Sequence, residues 1–484
     1  MRKSLGSKRK ELSDTHIEEI THLFGPFTEA KQDGKPISRI FANADFEFSL
    51  LPGEVIITKD FETANDIAIV AFVPQELPGV ICGYHLTIVR PSEKMFGRFV
   101  KRLFDSQFLN SPCGGKRMIP YVPQSLPLSD LDYGRLIRKV GPANAALARY
   151  DGLLQSVINP SILLSPLITR EAVLSSKIEG TQATVDEVLE CEAGIDFGGE
   201  KAQDIQEIRN YRKALVLASE ALKERPFTLS LICQMHTVLM DSVRGANKTP
   251  GQFRLDQNWI GPAGCTFEQA TFVPPAPLQL RDHLQAWESY LAMDDFDLLV
   301  QVAVVHAQFE LIHPFKDGNG RIGRLLIPLF LFQKHVLASP MFYLSEYLET
   351  HRDLYYARLR GISQDDDWIS WIEFFLDAIV EQAWANTQKV REILELYEKM
   401  KRQITELTRS QHAIQVLDAL FDRPIFQSGD FILRSGIPKH TALPFLHRLR
   451  EAGILHPLRE KSGRRSAIFA FRELLNCAEG RNVL

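Results

Sequence analysis

The stretch His313-Pro-Phe-Lys-Asp-Gly-Asn-Gly-Arg-Ile-Gly-Arg324 brings a base, an acid, a glycine-rich turn and two arginines into one short segment. His313 has an ordinary pKa that suits a general base near neutral pH. Asp317 offers the oxygen ligands that Mg²⁺ takes alongside substrate phosphates. Gly318 and Gly320 let the backbone turn so that its N–H groups point at an anion. These residues predict a site for a nucleotide triphosphate.

The apolar run Ile322, Leu325, Leu326 and Ile327 predicts a helix that begins at this turn. Arg321 and Arg324 lie three residues apart on its first turn, where both guanidinium groups can bind phosphate oxygens. We expect Phe315 to face inward and hold the loop. A Gly-Asn-Gly turn alone would indicate only a connection between two helices with solvated arginines. The combination favours a catalytic site.

The same run resembles, position for position, the Fic motif His-x-Phe-x-(Asp/Glu)-Gly-Asn-Gly-Arg-x-x-Arg. The resemblance implies transfer of AMP from ATP to a Ser, Thr or Tyr hydroxyl of a protein, with release of pyrophosphate. His313 would deprotonate the hydroxyl, and Asp317 would hold Mg²⁺. The other residues implied in ATP binding are Phe315, Gly318, Asn319, Gly320, Arg321 and Arg324. Fic loops can also transfer UMP, phosphocholine or phosphate, so the donor stays open.

A second segment, Ser175-Ser-Lys-Ile-Glu179-Gly180, closes an apolar stretch from Pro166 to Ile178 that predicts a helix capped by Gly180. It resembles the Fic inhibitory motif (Ser/Thr)-x-x-x-Glu-(Gly/Asn). The resemblance implies that Glu179 pairs with Arg324 and so withholds that arginine from the γ-phosphate of ATP. Ser-x-x-x-Glu alone is common and would indicate only a helix end, so this interpretation depends on the downstream motif.

Residues 251–275 contain two strand-like runs around Gly261-Pro-Ala-Gly264, which predicts a hairpin. In Fic proteins a hairpin at this place is a flap that docks the target protein by strand addition. A surface hairpin with one buried tryptophan is the alternative. Further downstream, Tyr347 and Tyr355 lie in segments that resemble those beside the nucleotide. They are candidates for contact with the base, although core packing explains them equally well.

The composition indicates a cytoplasmic globular protein of about two to four domains. A formal net charge of −4 predicts no general affinity for nucleic acid or anionic membrane. The six cysteines show neither a Cys-x-x-Cys pair nor zinc spacing, which indicates reduced, mostly buried residues. No apolar run approaches the ~20 residues that a membrane helix needs, and the basic N-terminus leads to no signal core.

The C-terminal part, residues 409–484, carries 12 Lys/Arg against 7 Asp/Glu, a local net charge of +5. Its pattern of helix, turn, second helix and basic hairpin resembles a winged helix-turn-helix. The candidate DNA-binding residues on the second helix are Lys439, His440 and Arg448. In Fic proteins such a tail is also used as a packing or dimer module, and apolar residues on the same helix must face a core.

The first 115 residues do not resemble a Fic domain. Residues 2–14, 17–25 and 38–46 resemble the C-terminal end of a type I restriction-modification methyltransferase subunit, without its cofactor or catalytic motifs. Strand-like runs at 54–58, 67–72 and 80–89 resemble, more weakly, part of a specificity subunit. A remnant of gene fusion, packed as an α/β extension, is the simpler explanation; a docking module is the alternative.

The fold expected is mainly α: a Fic-type helical bundle with a β-hairpin flap, a C-terminal winged helix-turn-helix and an N-terminal α/β extension. The predicted segments are a methyltransferase-like extension (1–50), a strand-rich extension (51–115), a Fic N-terminal region with the inhibitory helix (116–200), a Fic catalytic core (201–400) and the winged helix (401–484).

The function expected is autoinhibited protein adenylylation with ATP and Mg²⁺, with self-modification and a homodimer as further expectations. Two rivals stay open. One is removal of AMP from a modified protein at the same site. The other is a DNA-binding regulator that uses the Fic fold as a sensor or scaffold.

Overall fold

The computed structural model describes residues 120–482 except 242–247, 263 and 463–465, together with the backbone of seven short strands between Lys10 and Arg90. The chain divides into two compact units, Met1–Arg117 and Met118–Leu484. Each unit is described by itself.

In the first unit, five strands form an antiparallel sheet in the order β1-β2-β7-β5-β6, and β3 pairs with β4 in a separate hairpin. The strands are β1 Lys10–Leu12, β2 Thr15–Ile20, β3 Lys31–Gln32, β4 Lys35–Pro36, β5 Val55–Thr58, β6 Val70–Phe72 and β7 Leu86–Arg90. The last three overlap the three strand-like runs of the sequence. The helical part of the predicted α/β extension lies outside the described residues, and its resemblance to restriction subunits stays a prediction.

The second unit is mainly α-helical, as expected. Its helices are α1 Tyr133–Gln155, α2 Pro160–Leu163, α3 Ser165–Ile178, α4 Val185–Glu192, α5 Gly199–Leu222, α6 Leu229–Leu239, α7 Pro277–Ala292, α8 Leu298–Ile312, α9 Asn319–Gln333, α10 Ser345–Thr350, α11 Arg352–Asp365, α12 Trp368–Thr408, α13 Ala413–Asp422, α14 Ser428–Ser435, α15 Lys439–Glu451 and α16 Arg472–Glu479. None of the helices in the described part of the chain is long and apolar enough to cross a membrane.

Helix α8 forms the centre of this unit. Asp297 caps its first turn by accepting hydrogen bonds from the N–H groups of Leu299 and Val300. Nearly every residue of α8 is buried, because α7, α9, α11, α12 and α1 pack around it. A helix that is apolar on all sides belongs in a core. The catalytic motif therefore begins where a firmly held helix ends, and α9 leads it back into the same core.

Helix α12 is longer than the sequence indicated. The charged and periodic pattern from Trp384 to Leu407 predicts a helix that leaves the catalytic domain, and this segment is the second part of one continuous helix from Trp368 to Thr408. Its first part packs on α1 and α8, and its last part on α13, α15 and α16. The domain boundary predicted at residue 400 therefore falls inside a helix, as does the boundary at residue 200, which lies inside α5.

The C-terminal module combines α13–α16 with an antiparallel sheet of order β8-β10-β9, formed by Ile425–Gln427, Ile468–Ala470 and His456–Arg459. The predicted helix, turn, helix and two strands are present. Strand β8 and helix α16 were not predicted. The module packs against α3 through α13 and α16 as well as against α12. Its interpretation as a winged helix-turn-helix stays a prediction.

The predicted hairpin at 251–275 takes a reduced form. The chain reverses between Ile260 and Phe272, which form a single antiparallel bridge instead of two extended strands. A short 3₁₀ helix, Phe267–Gln269, lies within the reversal. Trp259 is exposed, contrary to the alternative of a buried tryptophan. We call residues 251–275 the flap segment.

Candidate active site

His313 ends α8 in a left-handed conformation, with φ 49° and ψ 61°. Its Nδ1 lies 3.3 Å from the carbonyl oxygen of Glu310, which can only accept a hydrogen bond, so Nδ1 carries the proton and Nε2 is the free acceptor. Burial lowers the pKa of His313 to about 4, and the nearby charge of Arg254 also lowers it. The imidazole is therefore neutral near pH 7 and able to accept a proton.

The loop after His313 is closed from inside by Asn319. Its Oδ1 accepts from the N–H of Phe315 at 2.8 Å, and its Nδ2 donates to the carbonyl of Phe315 at 2.8 Å. Phe315 is fully buried and stacks on His236 with ring centroids 3.8 Å apart. Neither side chain is presented to a ligand. Phe315 thus faces inward and holds the loop, as expected, and the part that both residues play in ATP binding stays a prediction.

His236 ties this loop to the flap segment. Its Nδ1 accepts from the N–H of Gly251 at 2.8 Å, so Nε2 carries the proton and donates to the carbonyl of Asp317 at 3.0 Å. Burial lowers the pKa of His236 to about 4, which favours this neutral form. No spacing in the sequence pointed to His236, because its partners are separated from it along the chain.

The glycines at the start of α9 leave room for an anion. Gly318 has φ 78° and precedes the first turn, where backbone N–H groups lack partners within the helix. A Cβ atom on Gly320 would lie only 2.1 Å from Oε1 of Glu179. The carboxylate of Glu179 thus lies directly against the turn that was predicted to bind phosphates.

Arg324 is held by three acceptors of α3 and its C-terminal cap. Its Nη2 donates to Oε1 of Glu179 at 2.6 Å and to the carbonyl of Ser175 at 2.8 Å, and its Nε donates to Oγ of Ser175 at 2.9 Å. Helix α3 ends as predicted, followed by Gly180 at φ 104°. Burial alone would raise the pKa of Glu179, but the charge and hydrogen bond of Arg324 lower it below its ordinary value.

Arg321, which was predicted to bind phosphate oxygens, pairs with two carboxylates of the protein in this structure. Its Nη1 donates to Oε2 of Glu207 on α5 at 2.9 Å, and its Nη2 lies 3.5 Å from Oδ1 of Asp317. The side chains of Arg321 and Glu207 are 4% and 7% exposed. The guanidinium of Arg321 is paired inside the protein in this structure, and its contact with phosphate stays a prediction.

Asp317 is the candidate Mg²⁺ ligand, and its side chain is 43% exposed. Its Oδ1 accepts from the N–H of Gly318 at 2.6 Å, which fixes the carboxylate at the mouth of the loop. Among the described residues, no cluster of three or more His, Cys, Asp or Glu side chains could hold a metal. Mg²⁺ bound to a nucleotide needs only one or two carboxylates, so a single Asp317 fits that ion.

The two tyrosines predicted to contact the nucleotide base, Tyr347 and Tyr355, differ in burial. Tyr355 is fully buried, and its hydroxyl binds Nε2 of His306 at 3.0 Å, so it belongs to the core. Tyr347 is half-buried against His351 and Phe374. The neighbouring Tyr356 is 36% exposed, and its pKa is raised first by partial burial and then by the charge of Glu179, whereas the charge of Arg324 lowers it.

The candidate DNA-binding residues do not share one face of α15. Lys439 and Arg448 are nine positions apart, about half a turn out of phase on an α-helix. Lys439 and His440 are exposed, whereas Nη1 of Arg448 donates to the carbonyl of Leu407 at 3.2 Å, at the end of α12. In this structure Arg448 contacts a helix end of its own chain.

The cysteines of the described residues form no covalent cross-link. The four described cysteines, Cys191, Cys233, Cys265 and Cys477, are half-buried and form no disulfide. The other two lie outside the described residues.

Comparison with known proteins gives the same assignment. The model of the Fic/DOC family N-terminal region matches residues 137–220, and that of the Fic/DOC family matches residues 226–331. A probable protein adenylyltransferase of Aquifex aeolicus is 28% identical over 177 residues, 36% of this chain and 51% of that protein. The protein adenylyltransferase Fic of Drosophila mojavensis is 29% identical over 166 residues, 32% of this chain and 30% of its own. This chain thus spans about half or less of these relatives.

A crystal structure of a Fic family protein from Desulfovibrio desulfuricans overlaps with a TM-score of 0.47 at 21% identity, covering 72% of this chain and 98% of that one. The two family matches include residues 175–180, the flap segment and the loop at 313–324. Residues 137–331 of the chain therefore contain the N-terminal region and the domain of the Fic/DOC family.

Proposed function

We propose that the chain is a protein adenylyltransferase that transfers AMP from ATP to a hydroxyl group of a protein, and that Glu179 inhibits it. The observation that carries this proposal is the junction of α8 and α9. This junction brings together a neutral His313, a glycine turn at a helix N-terminus and the partly exposed Asp317, whose charge acts on His313. The names of the matched relatives support the same reaction.

In this reaction the hydroxyl oxygen of the acceptor bonds to the α-phosphorus of ATP. The bond from that phosphorus to the oxygen bridging to the β-phosphorus breaks, and pyrophosphate leaves with the bridging oxygen. The hydroxyl proton passes to Nε2 of His313. Backbone N–H groups at the start of α9 would stabilise charge on the phosphates without rearrangement.

Asp317 would hold Mg²⁺ together with the phosphates of the nucleotide. The ion would supply positive charge that offsets the charge of the leaving pyrophosphate. The backbone of Gly318 orients Asp317 for this role, since its N–H holds Oδ1 at 2.6 Å.

Glu179 would inhibit in two ways. It occupies the guanidinium of Arg324, which the γ-phosphate would need, and its carboxylate lies against Gly320 in the phosphate turn. A negative charge at this point repels an anionic triphosphate. Relief requires Glu179 to leave, and its side chain is exposed enough (34%) to turn into water.

The protein acceptor would dock on the flap segment. Leu255, Trp259 and Ile260 are exposed there, and Ile260 makes only a single bridge to Phe272. An extended target segment can add main-chain hydrogen bonds to such an edge. A hydroxyl of this chain that reaches the same edge would be self-modified.

The test is transfer of label from α-labelled ATP with Mg²⁺, to the protein itself and to a cell lysate. We expect Glu179→Gly to raise the label at least about tenfold, since a freed Arg324 adds a charge-assisted phosphate contact. His313→Ala in the same background should abolish it. No label in any form would reject ATP as the donor. Release of AMP from a labelled protein by the parent chain, lost in Glu179→Gly, would instead favour hydrolytic removal of AMP, in which Glu179 acts on water.

A further inference from the structure

Arg254 on the flap segment is a buried cation with an unusual set of partners. Its side chain is 1% exposed, yet all of the acceptors it has among the described residues are backbone carbonyls. A buried charge is normally paired or fully hydrogen-bonded, because burial without partners is costly. The position of Arg254 therefore depends on the carbonyl groups around it.

Those carbonyls belong to two parts of the site. On one side, Nε of Arg254 donates to the carbonyl of His313 at 2.9 Å, and Nη2 approaches the carbonyl of Ile312 at 3.3 Å. On the other side, Nη2 donates to the carbonyl of Pro275 at 2.5 Å, at the end of the flap segment. The backbone N–H of Arg254 donates to the carbonyl of Pro314 at 2.9 Å.

These contacts stabilise two local features of the chain at His313: the C-terminal end of α8 and the backbone conformation of His313 itself. The last carbonyls of α8 have no donors within the helix, and a cation near a helix C-terminus is favourable. His313 also holds a left-handed backbone conformation that is uncommon for a residue with a Cβ atom. Arg254 binds the carbonyl of that residue directly.

We infer that Arg254 is a positioning residue for the reaction: its guanidinium fixes the backbone of His313 and joins it to both ends of the flap segment, so that the base and the docked acceptor keep one geometry. This inference rests on the proposed function, since it assigns His313 as the base. Arg254 itself touches neither nucleotide nor acceptor.

The charge of Arg254 also affects the pKa of His313, and this effect can be measured separately from the hydrogen bonds of the guanidinium. It opposes protonation of His313, while the carbonyl of Glu310 and the charges of Glu179 and Asp317 favour it. Loss of the Arg254 charge should therefore raise the pKa of His313 from about 4. Loss of the fork-shaped guanidinium with the charge retained should not.

Two variants separate these effects, both in the Glu179→Gly background. Arg254→Lys keeps a cation but cannot reach carbonyls on both sides. Arg254→Met removes charge and donors together. We expect AMP transfer to a protein acceptor to fall about a hundredfold in both, as for misplacement of a catalytic group by about 1 Å. Affinity for ATP with Mg²⁺ should remain that of the parent. The acid limb of the pH–rate profile should move to higher pH in Arg254→Met only.

The pKa of His313 can also be followed without any activity, by NMR titration of its imidazole, with the signal assigned by its loss in His313→Gln. A raised pKa in Arg254→Met and a parental pKa in Arg254→Lys, in folded protein, support the inference even if no AMP transfer is found. Parental rates in both variants would overturn it. So would reduced thermal stability with a parental pKa of His313 in Arg254→Met, because a purely structural role predicts that result.

Discussion

Helix α9 forms two arginine–glutamate ion pairs with neighbouring helices, and the two pairs differ in how exposed the glutamate is. Towards α3, Arg324 pairs with Glu179, whose side chain is 34% exposed; towards α5, Arg321 pairs with Glu207, whose side chain is 7% exposed. Both arginines are almost fully buried, and they lie one turn apart. The two ion pairs therefore differ in the exposure of the carboxylate and not in that of the arginine. A partly exposed carboxylate can leave its arginine and be hydrated by water, so it can act as a removable inhibitor. A buried carboxylate can only stabilise the fold.

The largest expected effect comes from removing the two carboxylates separately. Glu207→Ala removes the buried carboxylate that pairs with Arg321, leaving only the more distant and partly exposed Asp317, and should lower the free energy of unfolding by about 3–5 kcal/mol. Glu179→Ala should lower it by about 1 kcal/mol or less, because water replaces a partly exposed partner and Ser175 still binds Arg324. Urea unfolding followed by tryptophan fluorescence measures both, since all five tryptophans lie in the second unit.

The two variants should also differ in activity. Glu179→Ala should raise transfer of AMP, whereas Glu207→Ala should not, since Arg321 is not available to phosphate in the parent chain. Equal losses of stability, or activation by Glu207→Ala, would contradict the distinction between the two ion pairs.

The sequence predicted the first of these ion pairs and missed the second. The contact of Glu179 with Arg324 joins residues 145 positions apart, yet both belong to recognisable motifs, and the structure brings them together. Arg321 was expected on phosphate because its partner, Glu207, lies in an ordinary amphipathic helix without a motif. Which carboxylate a buried arginine meets is decided by packing between helices, and periodicity does not report it.

The same limit explains the other omissions. His236 and Arg254 act through backbone atoms of the catalytic loop, contacts that no residue pattern encodes. The start of α12 was placed too late because its charged second part stood out from the buried first part. Local features such as the turn at Gly318 and the end of α3 followed from the sequence, because they depend on neighbouring residues.

A third carboxyl group near Arg324 sharpens the comparison. Oε1 of Glu310 is buried, has no hydrogen-bond partner among the described residues and would lie 2.1 Å from a Cβ atom on Gly323. Burial raises the pKa of Glu310 to about 8, although Arg324 opposes this. A raised pKa means that the folded state holds the proton more tightly. Its contribution to stability is therefore complete below the ordinary value of 4.5 and is lost as the pH rises through about 8.

Replacing Glu310 by glutamine removes this titration. We expect the unfolding free energy of the parent to fall relative to Glu310→Gln by at most about 1.4 kcal/mol per pH unit between these two values. Urea unfolding at several pH values measures the difference. Glu398→Gln, at a largely exposed side chain, is the control and should run parallel to the parent. Parallel curves for Glu310→Gln as well would show that Glu310 is ionised like an exposed carboxylate.

The smallest expected effect concerns the hydroxyl group that helps Glu179 to hold Arg324. Ser175→Ala removes the acceptor for Nε of Arg324 but keeps the carbonyl that binds Nη2. It should lower the unfolding free energy by about 1 kcal/mol, the usual contribution of one hydrogen bond. The next residue supplies the control, because Ser176 is equally buried but its hydroxyl has no hydrogen-bond partner among the described residues. Ser176→Ala should therefore leave stability unchanged or raise it slightly. If AMP transfer rises in Ser175→Ala, less than in Glu179→Gly, then α3 restrains Arg324 through both groups; if it stays at the parental level, the carboxylate of Glu179 restrains Arg324 alone.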